Sequence, residues 1–159
     1  MGTGIEHEKA TKICSLILAL MIGLIFDFKL GFCFGSGFLI GGLWLSPDLD
    51  TKSKPIARWG ALQIIWWPYR KLIHHRSPLS HGPIIGTGIR IFYLLFFTGV
   101  IISIGSKFHI IDINDLKQSL SSFARLYTKE ILIFIGAIEL SAWLHIMQDK
   151  SLLIRRKKK

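Results

Sequence analysis

Four long apolar runs constrain this chain more than any other feature. They are Ile13 to Phe28, broken only by Asp27, then Leu30 to Leu45, Pro83 to Ile104, and Ile131 to Met147. A helix crosses a bilayer with about 20 apolar residues. Runs one and three reach that length with their flanks. Run two is about 15 residues, or ~23 Å at 1.5 Å per residue. It either crosses a thinned bilayer or enters partway, packed against run one. Composition agrees: 50% of residues are hydrophobic, mean hydropathy is +0.45 and only 19% are charged. A soluble domain carries about 25% charged residues. The pattern predicts an all-α, multi-span membrane protein of about four apolar helices, with residues 1–159 forming one membrane-embedded domain.

Run two reads "GFCFGSGFLIGGLWL", with Gly31 and Gly35, then Gly37 and Gly41, at G-x-x-x-G spacing. Such pairs let helix backbones approach closely in lipid. At the N-terminus, Glu6, Glu8 and Asp27 argue against a cleaved signal peptide. Thr3 and Glu6 have capping-box spacing, which predicts a retained helix starting near Gly4. Cys14 and Cys33 both lie in apolar runs, and no C-x-x-C pair occurs, so free buried thiols are expected.

Between runs two and three, residues 46–82 interleave Trp59, Trp66, Trp67 and Tyr69 with six basic residues. That mixture suits the headgroup level and predicts an interfacial segment, with a helix interrupted near Pro68. Segment 106–129 reads as a polar external connection with some helix. Four spans put the N-terminus, residues 46–82 and the C-terminal tail on one side. Its excess of Lys and Arg predicts a cytoplasmic side, in a bacterial inner membrane or its equivalent. The net charge of +10 includes the tail 150–159, which ends "RRKKK". Beside a membrane helix such a tail favours anionic lipid headgroups over nucleic acid. The chain stops soon after run four, so no further catalytic module is expected.

The same topology gathers titratable residues. His7 begins helix one, Asp48 and Asp50 follow helix two, His74, His75 and His81 precede helix three, and His145 and Asp149 close helix four. All fall on the predicted cytoplasmic face, and His109 alone is left on the other. Chain extended after Pro47 would put Asp48 and Asp50 on one side. His145 and Asp149 share a helix face at i, i+4. Taken singly, each is an ordinary loop, cap or surface residue. Together at one face they are better explained as a His/Asp metal centre. Imidazole and carboxylate without thiolate suit zinc, manganese or iron. Six or seven ligands exceed one tetrahedral site. Either some orient others from behind, or two metals share an aspartate. Arg58, Arg70, Arg76 and Arg90 could clamp an anion such as phosphate. Interface anchoring is at least as good an account of Arg58 and Arg70. Ser77 and Ser80 read as turn or cap residues.

The string from Ser46 to Leu94, beginning "SPDLDTKSK" and containing "HHRSPLSHG", resembles a family of small membrane proteins described as metal-binding. His7 in a G-x-x-H setting and the late H-x-x-x-D also fit it. The pattern is more loosely similar to the YdjM-like inner-membrane proteins, which are described as metal-dependent hydrolases. The resemblance implies His7, Asp48, Asp50, His81, His145 and Asp149 as ligands, with His75 a further candidate and His74 the weaker of that pair.

Two functions follow. One is a metal-dependent hydrolase acting on a phosphoester or lipid-borne substrate, with Arg76 and Arg58 binding it. The other is a non-enzymatic metal-binding protein: a sensor, store or assembly factor. Transport would need polar groups in mid-membrane, where Glu139 is the notable one, and is disfavoured.

Overall fold

The structure, a computed structural model, describes residues 4–157, with side chains through Ser151. All its regular elements are helical. Helix α1 spans Gly4–Ile25 and α2 spans Phe28–Leu43. Asp27 separates them as an N-cap, its carboxylate accepting the Lys29 N–H at 2.8 Å. An unpaired N–H at the helix start needs such an acceptor, so the one polar residue in the first run is where the chain turns. Helix α1 runs from the first described residue, Gly4, and Thr3 of the expected capping box lies outside the described residues.

Helix α2 is the spine of the bundle, packed between α1 and α8 (Thr128–Lys157). The two glycine pairs face different neighbours. A Cβ on Gly31 would stand 2.5 Å from the carbonyl oxygen of Ala19, and one on Gly35 2.7 Å from the Ala19 Cβ, both on α1. A Cβ on Gly37 would stand 2.5 Å from the carbonyl oxygen of Phe134, and one on Gly41 2.7 Å from the Ile138 Cα, both on α8. Real Cβ contacts do not come that close, so these backbones touch only because the side chains are missing. Phe34 and Phe38 fill the remaining space with Ala137.

Among the described residues three stretches are long and apolar enough to cross a membrane: Phe28–Asp50, Ile85–Lys107 and Thr128–Ser151. Helix α1, expected as a span, is not among them. Its first turns carry Glu6, Glu8, Lys9 and Lys12, so its apolar part is only Ile13 to Ile25. Run two, expected to be short, is extended by the chain that follows it. The outward faces of these helices are greasy: Leu16, Leu20 and Leu24 on α1, and Phe28 and Phe32 on α2, are exposed.

Residues 46–82 fold over one end of the bundle. A 3₁₀ turn at Pro47–Asp50 leads to α3 (Lys54–Ala57), a second 3₁₀ stretch at Gly60–Ile65, α4 (Trp66–Leu72) and α5 (Pro78–His81). The interruption falls at Gly60, which has φ +54°, and not near Pro68. Pro68 sits in the first turn of α4, where no helical partner for its missing N–H is needed. Nor is this segment only a headgroup layer. Trp66 and Tyr69 are fully buried with Leu45, Leu49, Ile56 and Ile138. Trp66 meets Trp59 and Tyr69 edge-on and stacks on Tyr93, with ring centroids 5.3–5.4 Å apart. Aromatic pairs like these contribute ~0.5–1.5 kcal/mol beyond their buried area. Trp67 keeps the predicted surface role, exposed with Lys71 Nζ 4.1 Å above its ring.

Helix α6 (Ile85–Lys107) starts beneath this cap. Its cap residue Ile84 has φ +64°, and Glu139 on α8 accepts the Ile84 N–H at 2.7 Å and also bonds the Trp143 indole. The carboxylate noted for transport thus secures a helix start. The predicted connection 106–129 contains an amphipathic helix, α7 (Ile113–Leu126), at the far end.

Candidate metal centre

The turn after α2 aims the aspartates. Ser46 caps it and Pro47 opens it, because a fixed φ near −65° suits the first helical position. The chain is therefore wound, not extended as expected. Both carboxylates approach one ring, with Asp48 Oδ1 3.8 Å from His81 Nε2 and Asp50 Oδ2 3.7 Å from His81 Nδ1, and the Leu49 side chain between them in sequence is fully buried. The Asp48 carbonyl accepts from the Thr51 N–H at 3.2 Å, the Thr51 hydroxyl at 3.1 Å and the Ser53 hydroxyl at 2.7 Å. Three donors on one carbonyl fix the backbone from which this carboxylate projects.

Asp48 stands between two histidines. Its Oδ2 lies 3.4 Å from His145 Nε2, and its Oδ1 lies 3.8 Å from His81 Nε2. On the far side, His7 Nε2 is 3.3 Å from Asp149 Oδ1, and the His7 and His145 rings stack 4.3 Å apart. The Asp149 carboxylate holds the His7 imidazole above its ordinary pKa.

Three of these rings are held from behind. His7 Nδ1 meets Gln148 Oε1 at 2.6 Å, His75 Nδ1 meets Asp50 Oδ1 at 2.9 Å, and His81 Nδ1 meets Ser80 Oγ at 2.9 Å. A carboxylate only accepts, so His75 donates from Nδ1, and in the neutral ring Nε2 would be the nitrogen open to a ligand. Histidines that bind metal are usually fixed in this way through their second nitrogen.

Donor atoms within 4.8 Å of one another form two triads, His7 with His145 and Asp149, and Asp48 with His75 and His81. Six of the seven predicted ligands are thus brought together. Asp50 is brought instead to imidazole Nδ1 atoms, 2.9 Å from His75 and 3.7 Å from His81. Arg76, in a left-handed conformation at φ +60°, reaches Asp149 at 3.6 Å. A non-glycine residue in that region is strained, and such strain clusters at functional sites. Arg58 is elsewhere: it pairs with Glu8 and donates to the Leu43 carbonyl at 2.9 Å, tying α1 to the end of α2. Arg90 is buried, donating to the Ser80 carbonyl at 2.8 Å and to Thr87 Oγ1 at 2.9 Å. It braces the turn that carries His81. His74 is exposed and joins neither triad. Sequence reasoning missed Gln148, and it read Ser80 only as a turn residue. The one signal for Gln148 was its place in the last turn beside Asp149.

Two observations test whether these residues fit a metal ion. Ligands about 2.0–2.1 Å from a tetrahedral ion lie roughly 3.3 Å apart. The separations of 3.3, 3.4 and 3.8 Å match that better than charge-assisted hydrogen bonds at about 2.7–2.9 Å. In addition, Nε2 of His81 and Nε2 of His145 are buried with no hydrogen-bond partner. Buried polar atoms without partners are rare in native proteins, and an ion would satisfy both. The donor set fits a divalent metal.

The whole of this geometry comes from a stretch that matches the family "Uncharacterized metal-binding protein (DUF2227)" over residues 2–158. The chain belongs to this family. The DUF2227 description speaks of metal binding and names neither the residues nor a reaction. One curated relative, an "Uncharacterized protein" of Aquifex aeolicus (strain VF5), is 45% identical over 62 residues. That match covers 38% of this chain and 43% of the relative's length. No solved structure matches this DUF2227 chain.

Two clefts meet at the centre. One, of about 350 Å³, is lined by His7, Asp48, His75 and Asp149 together with the basic Lys52 and Lys54. The other, of about 370 Å³, runs between α5 and α8 past Pro78, His81, Pro83 and Ile146. Arg76 and Asp149 line both.

Proposed function

We propose that this protein is a membrane-embedded, metal-dependent hydrolase acting on a phosphoester, either free or carried on a lipid. The observation that carries the reading is Asp48 held between His81 and His145 at the mouth of a cleft lined by Lys52, Lys54 and Arg76. Acidic and imidazole donors bind the ion, and the basic residues attract an anionic substrate. The triad of Asp48, His75 and His81 offers three protein donors, which leaves the fourth position of a tetrahedral ion open. The chemistry such an ion supplies when bound is polarisation of a phosphoryl oxygen and activation of water near neutral pH. Arg76 is suited to hold the substrate's anionic oxygens beside the ligands.

Membrane embedding is supported by three apolar stretches and by the exposed apolar faces around the bundle. Helix α1 joins as a fourth lipid-facing helix. The charge distribution favours the centre and both termini in the cytoplasm, with the basic tail on anionic headgroups.

The test is turnover of a phosphoester panel, soluble and lipid-borne, by detergent-purified protein loaded with zinc or manganese. Asp48→Ala and His81→Ala should abolish product release. Metal-loaded protein without turnover on any substrate would leave the second reading, a non-enzymatic metal-binding protein, which is equally compatible with the family description.

A further inference from the structure

We propose that the centre holds two divalent ions, with Asp48 as the carboxylate that bridges them. This rests on the metal-binding reading above and is independent of hydrolysis.

The donors fall into two groups, not one ring. His7, His145 and Asp149 come from α1 and α8, while Asp48, His75 and His81 come from the capping segment. Each group is compact enough for its own ion, with donor atoms within 4.8 Å. Asp48 is the point where they touch. Its Oδ1 faces His81 in its own group, and its Oδ2 faces His145 in the other. A carboxylate has two oxygens about equally basic, so it can give one to each of two ions. The unpartnered Nε2 atoms lie on both sides of it, one on His81 and one on His145.

Outer partners are also provided twice. Gln148 fixes His7 on one side, and Asp50 fixes His75 on the other. Each group of donors thus has an imidazole fixed by its own outer partner, as two ions sharing one aspartate would need. With Asp48 shared, the ion of His7, His145 and Asp149 has four protein donors. Its neighbour has three.

Metal content and electron paramagnetic resonance test the proposal on full-length, detergent-purified protein. Wild type dialysed against manganese(II), or separately zinc(II), should retain two ions per chain. The manganese form should show the signal of an exchange-coupled pair. His7→Ala and His75→Ala should each retain one ion and lose the coupling, and the double variant should retain none. Circular dichroism identifies variants that keep their helices, and the wild-type spectrum decides the matter even if none does. One ion per chain with an uncoupled spectrum would overturn the two-ion centre and leave the proposed hydrolase standing. Loss of all metal in either single variant would also overturn it. No metal in wild type would overturn both.

Discussion

His75 Nδ1 lies 2.9 Å from Oδ1 of Asp50, a carboxylate with no exposed side-chain surface. Burying a carboxylate is costly unless it is paired, so this contact has a specific role: it sets the ring that presents Nε2. Removing such an outer partner typically lowers metal affinity by about 10–100-fold. Asp50→Ala should do so, measured by competition with a chromophoric chelator. Asp50→Asn, which keeps an acceptor oxygen, should lose less. Equal affinity in wild type and Asp50→Ala would show that the contact orients nothing.

His7 and Asp149 make metal-free stability depend on pH. The folded pKa of His7 is raised above its ordinary value of about 6.5, first by Asp149. The folded state therefore binds the proton more tightly than the unfolded one. Its stabilisation is fully present below about pH 6.5 and is lost as pH rises through the raised value. The melting-temperature gap between apo wild type and apo His7→Gln should be larger at pH 6 than at pH 8.5. Metal reverses the trend, because an imidazole ligand must be deprotonated. A gap independent of pH would mean that His7 does not titrate against Asp149.

Gly37 and Gly136 form a matched pair for testing the helix seam. A Cβ on Gly37 would stand 2.5 Å from the Phe134 carbonyl oxygen, whereas one on Gly136 meets nothing within 4 Å. Gly37→Ala should destabilise by about 1–3 kcal/mol, the usual cost of overpacking. Gly136→Ala should be neutral or slightly stabilising, since alanine is the better helix former. Unfolding of both in the same detergent checks this, and similar stabilities would deny the close approach of α2 and α8.

Arg76 separates substrate binding from metal binding. It touches Asp149 at 3.6 Å and lines both clefts, yet it is no ligand. A charge-assisted hydrogen bond is worth about 1.5–3 kcal/mol. Arg76→Gln should therefore raise KM for a phosphoester by roughly 10–100-fold while metal content stays as in wild type. Arg58→Gln, at a tie between α1 and the end of α2 that lines neither cleft, should lower stability and change KM far less. An unaltered KM in Arg76→Gln would remove this arginine from the substrate site.

Much of this architecture was readable before any coordinates. Alternating apolar runs place their ends on two faces, and His7, Asp48, His81, His145 and Asp149 do come together at one end of the bundle, although α1 is not among the three stretches long enough to span. The G-x-x-x-G spacings carried the two helix contacts of α2, because glycine at every fourth position leaves one face bare. Other features were hidden for physical reasons. Ser-Pro after a helix can open an extended strand or a new turn, and only the buried Leu49 decides for the turn. Tryptophans among lysines mark a surface or a core equally well, and of Trp66 and Trp67, adjacent in sequence, the first is buried and the second exposed. Gln148 carries no charge, so nothing distinguished it until His7 was found against it. Arg58 left an anion clamp and an interface anchor both open, and its pairing with Glu8, fifty residues away, could not be read from local sequence.

His7 and Gln148 are 141 residues apart along the chain, and this distance bears on cooperativity. The imidazole sits on α1 and the amide that orients it on α8. Neither helix alone offers the group of His7, His145 and Asp149. Loosening α8 from α1 would take that group apart. An ion bound there would therefore favour the docked arrangement by mass action, and the two helices would come apart together rather than one at a time.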